Sequence, residues 1–277
     1  MNLLSFSSKV VYGHVGHSAA KLLLERLGHT VWAVDTVVFS NHPGHGRHAG
    51  RVTPAEEIQT LVGGLEDLGL LADCAAVFSG YLGSPANGAA VIEWVRRVKA
   101  VNPSALYALD PVMGDRDVGL YVAPDLPPFF AKEALALADL VFPNAFELEH
   151  LTGLAVRDLD GALAAADAVR GRGAKLVVTT GVEGTGTVAT LAVGAEGAWA
   201  VETPRLAYRA YGTGDAFAAL FLGHFCDGRA VPEALERAVA GVYGLVEATV
   251  GAEELALIAA QDQAVRPSRA WPVRRLR

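Results

Sequence analysis

The chain has 277 residues, 52% of them hydrophobic, and a formal net charge of −7. This length and apolar content suit one large domain or two small ones, and the negative charge argues against a general nucleic-acid-binding protein. No apolar run is long enough to span a bilayer and no signal segment opens the chain, so we expect a soluble, cytoplasmic protein with no membrane partner. The arginine-rich end, residues 266–277, is expected to be a solvated tail.

Short apolar runs between turn residues predict eight β-strands. They cover Asn2–Phe6, Val31–Phe39, Ala75–Phe78, Leu106–Leu109, Leu140–Phe142, Leu176–Thr179, Thr187–Val193 and Ala198–Glu202. Helical spacing predicts helices over Ser18–Leu27, from Ser84 to about Ala100, from Gly212 onwards, and over about Pro232–Val250 and Glu253–Val265. Because strands alternate with helices, we predict a three-layer α/β/α sandwich with a mostly parallel central sheet, in a single domain over residues 1–277.

The most informative stretch is Ala210–Leu222, where Gly212-Thr213-Gly214-Asp215 directly precedes a strongly apolar segment. The apolar segment predicts a buried helix, so the N–H groups of its first turn lack partners inside the protein. Glycines let an anion approach those N–H groups, and the helix dipole favours its charge. Asp215 places a carboxylate beside this anion site, which suits phosphoryl transfer to a hydroxyl group. The alternative is that Asp215 only caps the helix.

Further polar side chains follow the predicted strands, namely Ser8, Asp110, Asn144, Glu147 and Thr180. In a parallel sheet these positions lie along one edge. Carboxylate oxygens such as those of Asp110 and Glu147 suit Mg²⁺. Each carboxylate alone has an ordinary explanation, since Asp before Pro makes turns and Glu is favoured in the first turn of a helix. Together with the glycine-rich turn, they predict a metal–nucleotide site.

The segment of residues 40–50 holds no core-forming side chains but carries His42, His45 and His48. A zinc site is disfavoured, because Pro and Gly prevent a helix that would align the rings and no cysteine or carboxylate is interleaved. A loop that covers a ligand is the better interpretation.

Three motifs resemble the ribokinase-like superfamily: Gly212-Thr213-Gly214-Asp215, Asn144-x-x-Glu147 and Asp110-Pro111-Val112-Met113-Gly114. Within that superfamily, further segments resemble the pyridoxal kinases nearly from end to end. These segments are Val10–Gly16, Thr36–His42, Ser79–Tyr81, Val141–Asn144 and Ala259–Asp262.

The resemblance implies ATP-dependent phosphorylation of the 5′-hydroxymethyl group of pyridoxal, and of pyridoxine and pyridoxamine. It implies that Asp215 is the general base and that the amides of Gly212, Thr213 and Gly214 hold the transferring phosphoryl group. It also implies that Asp110 and Glu147 hold Mg²⁺, with Asn144 and Thr180 near the phosphates. The adenine is expected over the segments on either side of the Gly212 helix. Such kinases are typically homodimers, and a monovalent cation is left open as a further requirement.

For the substrate, the resemblance implies that Ser8 forms a hydrogen bond with the pyridine ring and that Tyr81 packs on the ring. The pocket would be lined by Val15, Val37, Phe39 and His42. Of these, Phe39 ends an apolar strand and is the one most expected to be core only.

The chain departs from the family's usual residues at Lys9, His17 and Pro43, where His, Asn and Thr are usual. Proline at 43 removes both a hydroxyl group and an amide proton. Two alternatives therefore stay open: a hydroxymethylpyrimidine or other small-alcohol kinase of the same fold, and a non-catalytic carrier of pyridoxal phosphate.

Overall fold

The structure is a computed structural model that describes residues 1–207 and 210–277. Its strands are β1 (Asn2–Val10), β2 (Thr30–Phe39), β3 (Gly50–Val52), β4 (Cys74–Ser79), β5 (Leu106–Leu109), β6 (Gly114–Asp115), β7 (Gly119–Leu120), β8 (Leu140–Val141), β9 (Leu176–Glu183), β10 (Thr187–Gly194), β11 (Gly197–Pro204) and β12 (Val273–Arg275). Its α-helices are α1 (His17–Arg26), α2 (Ala55–Asp67), α3 (Pro85–Val101), α4 (Leu126–Phe129), α5 (Ala145–Thr152), α6 (Leu159–Arg170), α7 (Thr213–Cys226) and α8 (Val231–Glu247).

One sheet of ten strands forms the centre, in the order β12-β11-β10-β9-β8-β5-β4-β1-β2-β3. The six strands from β9 to β2 run parallel, and antiparallel strands flank them on both sides. β6 and β7 form a separate two-stranded hairpin. All eight predicted strands are present, and β1 and β9 continue beyond their predicted ends. The carboxyl ends of β1, β4, β5 and β8 therefore meet at one edge of the sheet.

Two apolar cores cover the two faces of the sheet. One contains Val62 of α2, Trp94 of α3 and Leu148 of α5, and the other contains Leu23 of α1 and Phe221 of α7. Helices therefore lie on both faces, and the predicted three-layer α/β/α fold is confirmed. Within the described ranges, no helix has the length and apolar character needed to cross a membrane.

The arginine-rich end is largely exposed, as expected, but Val273–Arg275 form a strand, so the prediction of a tail without structure is wrong. β12 pairs antiparallel with β11 and adds the outermost strand. Arg274 lies 3.0 Å from a Glu202 carboxylate oxygen, and Arg277 lies 2.6 Å from Asp167. The arginine side chains thus pair with carboxylates of β11 and α6, while β12 pairs with β11 through its backbone.

The predicted helix over residues 253–265 is also wrong. α8 ends at Glu247, and a 3₁₀ turn at Gln261–Ala264 is the helical element of this segment. Its backbone groups bond elsewhere: the carbonyl of Glu253 accepts from the Tyr211 amide at 2.9 Å, and the Ala256 amide donates to Thr249 Oγ1 at 2.9 Å. Contacts with distant segments replace the intrahelical hydrogen bonds.

Candidate active site

The glycine-rich turn leads into α7, as predicted. Gly212 has φ 85°, and a methyl group there would lie 1.9 Å from the His14 carbonyl oxygen, so only glycine fits. The helix is buried from Ala216 onwards, but Gly214 is exposed, so its first turn opens to solvent rather than lying inside the protein. Unpaired amides at an open turn form an accessible anion site.

Asp215 does not cap this helix, and the capping alternative is wrong. Gly212 occupies the N-cap without a side-chain hydrogen bond, and Asp215 is the third residue of α7. Burial raises the pKa of the Asp215 carboxyl, whereas the facing Gly16 amide, the charge of His17 and the Asp215 amide lower it. Because Gly16 is the N-cap of α1, the carboxylate lies at the N-termini of two helices.

Asp110 and Glu147 are both buried, with 6% and 3% of their surface exposed. Glu147 Oε1 accepts from the Met113 amide at 2.8 Å, and Oε2 accepts from the Asn144 amide at 2.9 Å. Burial raises the pKa of Glu147 to about 7 despite these bonds. Burial, followed by the charges of Glu147 and Asp215, holds the pKa of Asp110 well above its usual range. The structure therefore concentrates negative charge in a poorly solvated place, where a cation is favoured.

The side chain of Asn144 holds this edge of the sheet together. Its Oδ1 accepts from the Glu147 amide at 2.9 Å, completing a capping box, and its Nδ2 donates to the Gly114 carbonyl at 2.8 Å. Thr180 pairs with Asn144 in an isolated parallel bridge, although it lies within β9 rather than after it. Both residues lie at the predicted edge, with the Asn144 amide group already engaged.

On the other side of Asp215, Ser8, Val15 and Val37 are buried. Ser8 pairs with Val37 in the β1–β2 register, just after a bulge at Ser7. A methyl group at Gly16 would lie 2.2 Å from both Ser8 Oγ and the Ser8 carbonyl oxygen. The predicted ring-binding serine and the predicted base therefore both contact the turn before α1.

Residues 40–50 cover this side with aromatic contacts. Phe39 is half-buried, with its ring 4.7 Å from that of His48, so the expectation that it is core only is wrong; Val37 is the fully buried residue. His42 is half-buried and Pro43 is exposed at the start of a 3₁₀ turn. Tyr81 is half-buried, and burial raises the pKa of its hydroxyl.

Known proteins resemble this chain over most of its length. The family model described as Phosphomethylpyrimidine kinase matches residues 33–257. The pyridoxal kinase PdxY of Rubrobacter xylanophilus is 46% identical over 283 residues, which cover 100% of this chain and 98% of that protein. The pyridoxal kinase PdxY of Deinococcus radiodurans is 44% identical, with 99% and 96% covered. The chain belongs to the phosphomethylpyrimidine kinase family and, within it, to the pyridoxal kinases.

Solved pyridoxal kinases share the whole fold. The pyridoxal kinase from Leishmania donovani in complex with ADP and pyridoxine has a TM-score of 0.94 at 29% identity, with 100% of this chain and 99% of that chain covered. The complex of the same kinase with ADP and pyridoxamine has a TM-score of 0.93 at 28% identity, with the same coverage. The predicted adenine site falls partly on Tyr208 and Arg209, which lie outside the described residues.

Relative to the usual pyridoxal kinase residues, the three departures lie in different surroundings. Lys9 and Pro43 are exposed, whereas His17 is buried near Asp215. Pro43 lies between two residues that contact Tyr211. The His42 ring stacks on the Tyr211 ring with centroids 4.2 Å apart, and the His45 ring meets the Tyr211 ring edge-on at 5.3 Å.

The contacts that hold residues 40–50 against Tyr211 and Glu254 were not predictable from the sequence. Glu254 Oε2 accepts from the His14 amide at 2.9 Å, and Oε1 lies 3.2 Å from His45 Nε2. Tyr211 pairs with Glu254 in an isolated bridge. We call Tyr211, His42, His45 and Glu254 the loop latch. The sequence feature that could have indicated the loop latch is Tyr211, an aromatic residue directly before the glycine-rich turn.

Tyr121 was missed as well. It follows β7, and its amide donates to the Met113 carbonyl at 3.1 Å. Tyr121 is 46% exposed, yet desolvation of its hydroxyl and the charges of Glu147, Asp110 and Asp215 raise the pKa of that hydroxyl. A neutral hydroxyl thus faces all three carboxylates. The signal available was an aromatic residue soon after the Asp110 motif.

Proposed function

We propose that this chain transfers the γ-phosphoryl group of ATP to the 5′-hydroxymethyl group of pyridoxal, and of pyridoxine and pyridoxamine. The observation that carries the proposal is the position of Asp215. Its carboxylate lies at the N-termini of two helices and near the buried carboxylates of Asp110 and Glu147. Similarity over the full chain to pyridoxal kinases supports the choice of substrate. ADP in the related structures supports the choice of nucleotide.

In the proposed reaction, Asp215 accepts the proton of the substrate hydroxyl, whose oxygen attacks the γ-phosphorus atom. The bond from that phosphorus to the β–γ bridging oxygen breaks, and ADP leaves with the electron pair. The amides of Gly212, Thr213 and Gly214 stabilise the charge of the transferring group. Desolvation of the Asp215 carboxylate raises its proton affinity, which favours proton transfer near neutral pH.

Asp110 and Glu147 fit Mg²⁺. Their donor atoms are hard oxygens, and they add negative charge where burial makes it unfavourable. Among the described residues no group of three or more side chains could enclose a metal by itself, which agrees with an ion shared between one or two carboxylates and the phosphates of a nucleotide. When bound, Mg²⁺ neutralises phosphate charge. Asn144 and Thr180 lie beside this pair and would face the phosphates.

The substrate ring would lie between Ser8 and Tyr81, under the residues of the loop. The Ser8 hydroxyl would hydrogen-bond the pyridine ring, and Tyr81 would pack its aromatic face on that ring. The other pocket residues in this proposal are Val15, Val37, Phe39, His42 and Pro43. Because His42 already stacks on Tyr211, the side of the pocket facing the loop is aromatic.

ADP release with Mg-ATP should be measured against pyridoxal, pyridoxine, pyridoxamine, hydroxymethylpyrimidine and ribose. We expect clear turnover of pyridoxal and loss of that turnover in Asp215→Asn. Hydroxymethylpyrimidine is the informative competitor, since the matching family model is described by a pyrimidine kinase. Turnover of the pyrimidine alone would transfer the proposal to that substrate. Binding of pyridoxal phosphate without any turnover would favour a carrier.

The homodimer remains a prediction from the family resemblance, and the single domain remains a prediction from the sequence pattern. A requirement for a monovalent cation stays open. Light scattering coupled to size-exclusion chromatography tests the dimer, with a monomer mass contradicting it. Turnover in KCl against choline chloride at equal ionic strength tests the cation.

A further inference from the structure

The ring of Tyr211 is enclosed by the loop of residues 40–50. The His42 ring stacks on it with the planes 28° apart, and the His45 ring meets it at 75°. Between these two histidines the loop backbone comes equally close, since a methyl group on Gly44 would lie 2.5 Å from the Tyr211 hydroxyl oxygen and 2.7 Å from His42 Nδ1. Gly44 does not have a positive φ. The lack of space, rather than the backbone conformation, therefore requires glycine at this position.

The loop residues around the Tyr211 ring form a hydrogen-bonded 3₁₀ turn over Pro43–His45. The Gly44 amide donates to His42 Nδ1 at 3.0 Å, and the His45 amide donates to the His42 carbonyl at 3.1 Å. The His42 ring is thus held by the turn through its nitrogen and by the Tyr211 ring through its face. A change at Tyr211 or at Gly44 therefore reaches the substrate side of the site through His42.

The backbone of Tyr211 is anchored independently of its ring. Its amide donates to the Glu253 carbonyl at 2.9 Å, and the residue pairs with Glu254 in the isolated bridge. The next residue, Gly212, is placed by its close approach to the His14 carbonyl. Because these contacts do not involve the ring, its removal should leave the glycine-rich turn and the nucleotide side of the site in place.

The contacts of the Tyr211 ring close the opening between the end of β2 and the start of α7. β1 and β2 stay together up to the loop, since the Tyr12 amide donates to the Ser40 carbonyl at 2.8 Å. The loop then reaches Tyr211, which directly precedes the glycine-rich turn. In the proposed function, a ring beside Ser8 whose hydroxymethyl group reaches Asp215 would lie beneath this part of the loop.

We propose that Tyr211 is a positioning residue for pyridoxal: its ring holds His42 and the backbone of Gly44 in place over the substrate pocket. This inference rests on the proposed function, in which pyridoxal is the substrate. A site whose loop is ordered only part of the time binds its ligand with an affinity lowered by that fraction. By ordering the loop in advance, the Tyr211 ring raises the affinity for pyridoxal and leaves the phosphoryl transfer step unchanged.

The test is a double-mutant cycle of Tyr211→Val and Gly44→Ala, with Tyr211→Phe as the variant that keeps the ring. Calorimetry gives the Kd for pyridoxal, and steady-state kinetics give kcat and the KM values for pyridoxal and Mg-ATP. Gly63→Ala in α2 is the matched glycine control, because no described neighbour lies within 4 Å of its added methyl group. The double variant distinguishes one shared contact from two independent effects.

We expect Tyr211→Val and Gly44→Ala each to raise the Kd and the KM for pyridoxal about five- to tenfold, with kcat and the KM for Mg-ATP within about twofold of wild type. The double variant should resemble the single variants, because a methyl group added at Gly44 displaces no ring once Tyr211 is replaced. Tyr211→Phe and Gly63→Ala should bind pyridoxal within about twofold of wild type.

Three results would overturn the inference: multiplied effects in the double variant, a fall in kcat together with a higher KM for Mg-ATP, or unchanged pyridoxal binding in both single variants. The second result would assign Tyr211 to the glycine-rich turn instead of the loop. A wild-type protein that neither binds nor phosphorylates pyridoxal would overturn the proposed function itself, so the two failures are distinguishable.

Discussion

The carboxylate side of the site and the loop on its substrate side are held in different ways. Glu147 is buried and bonded by the backbone amides of Met113 and Asn144. The loop latch instead joins half-buried residues through stacked rings and one carboxylate, Glu254. A backbone-bonded carboxylate keeps its place without a ligand, whereas a few side-chain contacts can open and close. We therefore expect the chemistry to depend on the first region and substrate affinity on the second.

The largest effect is expected from Asp215→Asn. The amide keeps the size of the side chain but cannot accept the hydroxyl proton, so turnover should fall by about 10²–10⁴-fold. Mg-ATP binding, measured by calorimetry, and the circular dichroism spectrum should match wild type. Turnover near the wild-type rate would remove the base assignment.

Gly212→Ala should come next. A methyl group 1.9 Å from the His14 carbonyl oxygen, at φ 85°, forces the turn to move, and displacements near 1 Å at reacting groups can cost about 10²-fold in rate. Gly214→Ala is the matched control, since no described neighbour lies within 4 Å of its added methyl group. Steady-state turnover and Tm of both variants should differ clearly. Equal effects would show that the close approach is not what constrains Gly212.

The carboxylate pair should make the unliganded protein less stable as pH rises. The pKa of Glu147 is about 7 in the folded state against an ordinary 4.5, and that of Asp110 is also raised, so the folded state binds more protons than the unfolded state. Stability should therefore fall as pH rises from about 4.5 to about 7, the interval between the ordinary and the folded pKa of Glu147. The histidines with lowered pKa values, His29, His42 and His224, act in the opposite direction, because their unfolded forms bind more protons.

Differential scanning fluorimetry in EDTA measures this slope. Asp110→Asn should flatten it, and Mg²⁺ should raise Tm more at pH 8 than at pH 6, because ionised carboxylates bind the ion. An equal slope in wild type and Asp110→Asn would mean that the raised pKa values of the pair do not contribute to it.

Glu254→Gln should weaken the loop latch. Loss of the charge beside His45 is expected to raise the KM for pyridoxal about three- to tenfold while leaving the KM for Mg-ATP unchanged. Glu253→Gln is the control, because that side chain is 72% exposed and 3.7 Å from the same ring. Similar kinetics in both variants would argue against a closing role for Glu254.

Pro43→Thr should have the smallest effect. Threonine restores a hydroxyl and an amide proton next to His42, so the Kd for pyridoxal should fall about two- to fivefold by calorimetry. Unchanged or weaker binding would mean that this loop contacts substrate differently from the loop of related kinases.

Features with local signals were predictable from the sequence. The parallel strands showed as apolar runs, and Asp110, Asn144 and Glu147 followed them at the edge where the structure places them. The buried helix after Gly212 was equally clear. These signals depend on neighbours within a few residues, so one sequence suffices to read them.

Features made by distant segments were not predictable. Glu254 was placed in a helix, but its carboxylate contacts the His14 amide and the His45 ring. His17 was recognised as a departure, whereas its bond to Asp35 depends on strand packing. The arginine-rich end gave a charge pattern typical of a tail, yet its backbone pairs with β11. In each case tertiary contacts override the local preference.

The close approach of Gly212 to the His14 carbonyl has a consequence for synthesis. β1 precedes α7 in the chain, yet the turn after β1 contacts residues that are made some two hundred positions later. A nascent chain ending before Gly212 holds the carboxylate pair but has neither the proposed base, Asp215, nor the proposed anion-binding turn. In the proposed reaction, phosphoryl transfer is thus withheld until Asp215 has been made, without any separate inhibitor.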